Sequence, residues 1–112
     1  MELNVNNYVR TKDGCIGKII KTEYNEMINI WEEVIYIDNQ SMYDYLIENQ
    51  IIKSSPNIID LIEVGDYVNG YEVTSIDQFL GFGNHDWYMT NDEITSIVTK
   101  EQFENISYKV GE

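Results

Sequence analysis

The chain has no alanine, one cysteine, one histidine and only seven basic residues among 112. Each shortage excludes something. Alanine is the best helix former, and its absence beside nine tyrosines argues against a helical bundle. The lone thiol, Cys15, cannot close an intramolecular disulfide, and no cysteine cluster exists for a structural zinc. A reducing cytosolic compartment suits such a chain. No apolar run approaches the roughly 18 residues that would mark a membrane helix. Met1 to Tyr8 carries neither the basic nor the apolar region of a signal peptide. The expectation is a soluble cytoplasmic protein.

Catalytic chemistry is equally thin. There is no G-x-S-x-G elbow, and the sole imidazole that could activate Cys15 is His85, in the other half of the chain. Gly81 and Gly83 lack the third glycine and the following lysine of a phosphate cradle. His85, Asp86 and Asp92 supply too few ligands of the usual kind for zinc, and the acids do not follow the alternation of a calcium loop. The expectation is therefore no catalytic residue, no metal and no cofactor. A small metal-dependent enzyme built on His85 and nearby acids stays open as an alternative.

What the chain does have is negative charge and β-prone apolar residues. Its formal net charge is −13. Arg10, Lys12, Lys18 and Lys21 lie in the first 21 positions, whereas from Thr22 to Thr99 one base, Lys53, faces fifteen acids, a formal charge of −14. Such a field repels nucleic-acid phosphates and an anionic membrane surface. Its natural partner is a basic protein surface. A duplex carries one negative charge about every 1.7 Å of axis, whereas acids on one face of a strand fall about 6.6 Å apart. DNA mimicry would thus need acids from several neighbouring elements.

The local grammar is that of short strands and tight turns. Tyr8 to Thr11, then Lys12-Asp13-Gly14, then Ile16 to Lys21 reads as a hairpin. Gly17 suggests a bulge or a close approach inside the second strand. A third strand is expected over Ile28 to Ile37, and Ser41 to Gln50 fits either a short helix or an edge strand. Ser54-Ser55-Pro56-Asn57 is a break, and Ile58 to Ile62 reads as a one- or two-turn helix ending at Gly65. Asn69-Gly70, between Asp66-Tyr67-Val68 and Tyr71 to Ile76, calls for a type I′ hairpin. Gly81 to Asp86 reads as a loop, Trp87 to Thr90 as a strand and Glu93 to Val98 as its partner. Thr99-Lys100-Glu101-Gln102 matches a capping box, opening a helix that places Phe103 inward, and Ile106 to Val110 reads as a last strand. The fold class expected is α+β, mainly antiparallel β, partly an SH3-like small barrel with two or three short helices. The chain forms a single domain over 1–112, with sub-modules at 1–53 and 54–112 suggested by the echo between Asn7-Tyr8-Val9 and Asp66-Tyr67-Val68.

Aromatic side chains set among acids are the natural contact anchors, because interfaces favour Tyr and Trp at their centres with charge at the rim. The candidate partner-binding residues are Glu26, Trp31, Glu32, Glu33, Asp38, Tyr43, Asp44, Tyr45, Glu48, Asp60, Glu63 and Asp66, with Trp87 as a further anchor.

Three segments, Asn7 to Ile20 (NYVRTKDGCIGKII), Ile52 to Val73 (IKSSPNIIDLIEVGDYVNGYEV) and Ile97 to Val110 (IVTKEQFENISYKV), resemble small acidic proteins of phages and prophages in low-GC Gram-positive bacteria. Together they cover under half the chain. The resemblance implies a non-enzymatic phage protein in the host cytoplasm. By analogy of charge and origin, it implies an anti-CRISPR inhibitor that binds the basic nucleic-acid channel of a Cas nuclease. The alternative is a structural or adaptor module of phage biology whose acids serve solubility alone.

Overall fold

A computed structural model describes residues 3–25, 32–38, 45–77, 80–83, 85–87 and 89–106. The chain divides into two compact units, Met1–Leu61 and Ile62–Glu112. Both are built mainly of antiparallel strands.

The first unit contains β1 (Tyr8–Thr11), β2 (Ile16–Asn25), β3 (Glu32–Ile37), β4 (Leu46–Ile47) and β5 (Ile51–Ser55), joined in one sheet of order β4-β3-β2-β1-β5. The β1–β2 hairpin forms where Asp-Gly predicts it. Gly14 takes φ +86°, a left-handed conformation that glycine adopts without steric cost. Thr11 ties the turn: its hydroxyl donates to Asp13 and accepts from the Cys15 amide at 2.9 Å. Val9, Ile19, Ile35, Leu46 and Ile51 are buried together with Leu3, and Ile37 packs against them. The register pairs Ile19 with Ile37 and Ile35 with Leu46, so these residues share one face of the sheet. Each fully buried aliphatic side chain stabilises by roughly 1.5–3 kcal/mol.

A 3-10 turn at Ile58–Leu61 packs against β1 and β5 and keeps the first unit going past the Pro56 break. Beneath it Arg10 is fully buried, its Nη1 donating to the Leu61 carbonyl at 3.0 Å. One of the four early basic residues is therefore an internal strut and not a surface charge.

The second unit contains β6 (Tyr67–Val68), β7 (Tyr71–Glu72), β8 (Ser75–Ile76), β9 (Leu80–Phe82), β10 (His85–Trp87), β11 (Ile97–Val98) and α1 (Lys100–Ile106). They form two three-stranded sheets, β10-β9-β8 and β11-β6-β7. Asn69 and Gly70 take φ +53° and +88°, the two left-handed positions that a type I′ hairpin requires. The side chain of Asn69 then pins the following loop. Its Nδ2 donates to the Glu93 carbonyl at 2.8 Å, and its Oδ1 accepts from the amides of Thr95 and Ser96 at 2.8 and 3.1 Å. The capping box forms as expected: the Gln102 amide donates to Thr99 Oγ1 and the Thr99 amide to Gln102 Oε1. Tyr8-Val9 and Tyr67-Val68 occupy like places, each in a middle strand with its hairpin partner on one side and a later strand on the other.

Several expectations are corrected. Among the described residues the sheets are not closed, and they do not by themselves bear out an SH3-like barrel. Among the described residues α1 is the one α-helix; Glu48–Gln50, Ile58–Leu61 and Asn91–Glu93 are 3-10 turns. Gly81 to Asp86 is no plain loop, since β9 and β10 pair across it. The partner of β11 is β6 and not the Trp87 strand. Phe103 is 45% exposed and stacks on Tyr67 with ring centroids 4.9 Å apart, so it does not point inward. Ile28 to Trp31, Ser41 to Asp44 and the last strand expected at Ile106 to Val110 fall wholly or largely outside the described residues.

Candidate functional site

Strand pleating decides which polar side chains of the first unit meet. The core takes Ile19, Ile35 and Leu46; a register shift in β2 between Ile19 and Lys21 then turns Lys21 and Glu23 to the opposite face, where Lys21 lies across from Tyr36. The three interlock. Tyr36 donates its hydroxyl to Glu23 Oε1 at 2.9 Å, and Lys21 Nζ lies 3.0 Å from Glu23 Oε2 and 5.5 Å from the centre of the Tyr36 ring. Lys21 and Tyr36 together hold the Glu23 carboxyl below the usual carboxylate range, the lysine hydrogen bond contributing most. The same carboxylate raises the pKa of the Lys21 ammonium and of the Tyr36 phenol. Lys21 and Glu23 are exposed and Tyr36 is half-buried, so the cluster orients side chains and adds little stability. Tyr45 contributes to the Tyr36 shift and is 42% exposed. The result is a polar patch in which Lys21 engages both the Glu23 carboxylate and the Tyr36 ring.

The sequence-predicted site residues scatter around this cluster. Glu33 shares a face with Ile35 and is half-buried. Asp38 is exposed, and its Oδ1 accepts from the Lys18 amide at 2.8 Å, fastening the end of β3 to β2. Glu48 is exposed in the 3-10 turn after β4. Asp60 is exposed and accepts from Ser55 Oγ at 2.6 Å. Glu32 stands opposite Asn25 in the register. Glu26, Trp31, Tyr43 and Asp44 lie outside the described residues.

The two candidates in the second unit serve the fold. Asp66 is fully buried; its Oδ2 accepts from the Glu63 amide at 2.8 Å and its Oδ1 from the Lys100 amide at 2.9 Å. A buried carboxylate joining a loop to the start of a helix is a structural clamp, and this removes Asp66 from the contact surface. Glu63 is half-buried and pairs with Lys100 Nζ at 2.8 Å over the turn at Gly65.

Reasoning from sequence missed Lys21 and Tyr36 as site residues. The available signal was the two-residue spacing of Lys21 and Glu23 on a strand, but their meeting with Tyr36 depends on the β2–β3 register. No group of three or more His, Cys, Asp or Glu that could hold a metal occurs among the described residues. No helix among them is long and apolar enough to cross a membrane. No family model, curated protein or solved structure gives a significant match to this chain.

Proposed function

We propose that this protein is a non-enzymatic acidic module that binds and occludes a basic surface of another protein. The observation that carries this reading is the exposure of its carboxylates. Glu23, Asp38, Glu48 and Asp60 in the first unit, and Glu72, Asp77, Asp92 and Glu93 in the second, are all exposed, on a chain of formal charge −13. A field of this sign draws in Lys- and Arg-rich surfaces and turns phosphate backbones away. Tyr45 and Trp87, both exposed, supply aromatic anchors beside those charges.

Taken with the resemblance to phage proteins, the proposal extends to a bacterial defence protein as partner, first among them a Cas nuclease with its basic nucleic-acid channel. Capture of purified Cas nucleases and of host lysate at low and high salt tests both levels. Binding should weaken steeply as salt rises, and it should be lost when Glu48, Asp77 and Asp92 are changed together to Lys. No capture of any Cas nuclease at low salt removes the narrower reading. Salt-insensitive capture that survives the charge reversal favours an adaptor whose acids serve solubility alone.

A further inference from the structure

Within the second unit the register sets Ile76 opposite Leu80 and Leu80 opposite Trp87. Directly opposed residues of antiparallel strands share a face, so these three make an apolar row across the β8-β9-β10 sheet. The centre of the row, Leu80, is buried. Its two ends face water, Ile76 being 42% and Trp87 51% exposed. Phe82 stands two residues beyond Leu80, on the same face. It meets Tyr71 edge to face with ring centroids 6.3 Å apart, and Tyr71 is itself 65% exposed.

The neighbours in sequence are acidic. Asp77 follows Ile76 just past the end of β8 and is exposed; Glu72 is exposed too, but it alternates to the other face of β7 from Tyr71, where it accepts from the Tyr67 hydroxyl at 3.2 Å. Residues 62–112 carry two lysines against ten acids, a formal charge of −8. Acids that served solubility alone would not need an aromatic and aliphatic face left open among them. A second copy of this chain would bring the same negative charge to the contact, and a nucleic acid would bring phosphates. A basic segment with apolar side chains of its own matches both features. Its aliphatic groups cover Ile76 and the row beside it, while its cations lie over the rings of Tyr71 and Trp87, drawn in by Asp77 and by the net negative charge of residues 62–112.

We propose that this aromatic face of the second unit is the docking surface for a partner segment in which Lys or Arg alternates with apolar residues. The inference rests on the reading that the partner is basic, and adds where the segment seats and what else it must carry.

Two synthetic peptides of equal length and charge, one alternating Arg with Leu and the other Arg with Gly, are titrated into the full chain by calorimetry at low ionic strength. The Arg–Leu peptide is expected to bind at least about fivefold more tightly, the scale of burying one or two methylene groups against the apolar row. The double variant Ile76→Ser, Trp87→Ser should erase that advantage, weaken Arg–Gly binding by no more than about fivefold through the lost Trp87 ring, and leave the far-ultraviolet circular dichroism spectrum unchanged. Equal affinities in the wild type, or an advantage that persists in the double variant, overturn the docking face and leave the acidic-module reading intact. Failure of both peptides to bind the wild type overturns both. A dimer by sedimentation that becomes monomeric in the double variant makes the occupant a second copy and overturns the proposal.

Discussion

Ile37 lies directly over Gly17: a Cβ placed at position 17 would sit 2.7 Å from Ile37 Cδ1 and 2.9 Å from its Cβ. Strand β2 therefore tolerates no side chain where β3 crosses it with a branched one. Gly17→Ala should destabilise the protein by about 1–3 kcal/mol, the usual cost of overpacking. Urea denaturation measures this. The Gly17→Ala, Ile37→Ala double variant should lose less than the two single variants summed, because they act on one contact. Strict additivity would place the cost elsewhere.

Asn69 combines a left-handed backbone with a side chain that holds three backbone groups of the loop before β11. Asn69→Gly keeps the turn and loses those bonds; Asn69→Asp keeps the acceptor and loses the donor. The expected order of stability is Asn, then Asp, then Gly, with Gly costing about 0.5–1.5 kcal/mol, because the freed Thr95 and Ser96 amides are open to water. Denaturation midpoints of the three proteins give the order directly.

Asp66 offers two acceptor oxygens to two backbone amides. A carboxamide in its place would turn a donor toward one of them. Asp66→Asn should therefore cost about 2 kcal/mol or more, since hydrogen bonds to a charged group are worth roughly 1.5–3 kcal/mol. Hydrogen exchange at the Glu63 and Lys100 amides should accelerate in the variant. Unchanged protection at both would contradict the clamp.

The Tyr36 phenol is raised first by its bond to Glu23, which favours the protonated hydroxyl. Glu23→Gln should bring its titration down toward that of an ordinary tyrosine, as read from ring-carbon NMR shifts of labelled tyrosine. The signs follow from linkage. Glu23 is lowered, so its contribution is present above the unfolded carboxyl pKa and is lost as pH falls through the folded value. Lys21 and Tyr36 are raised, so theirs is present below their unfolded values and is lost as pH rises through the folded ones. The cluster is thus intact across the neutral range and opens at either extreme. A Tyr36 titration indifferent to Glu23→Gln would refute it.

The features legible in the chain are those whose physics is local. Asp13-Gly14 and Asn69-Gly70 form their hairpins because each supplies left-handed backbone where the turn demands it. Thr99 and Gln102 form their box because donor and acceptor lie three residues apart. Gly17 signalled a close approach, and that approach is to Ile37. The candidate surface was readable only as charge: exposed Asp38, Glu48 and Asp60 followed from composition, whereas buried Asp66 looks no different from them in sequence.

By itself, then, the sequence determined the turns, the cap, the β-rich class and the sign of the field. The tertiary structure decided what depends on pairing between distant residues. It placed β5 beside β1, buried Arg10 beneath Leu61 and brought Tyr36 to Glu23. It also drew β9 and β10 out of what reads as a loop and left Ile76 and Trp87 on an open face. The reason is physical. A turn or cap is set by the conformational preferences of a few adjacent residues. Which face of a strand is buried depends on register, and a slip of one residue would reverse it.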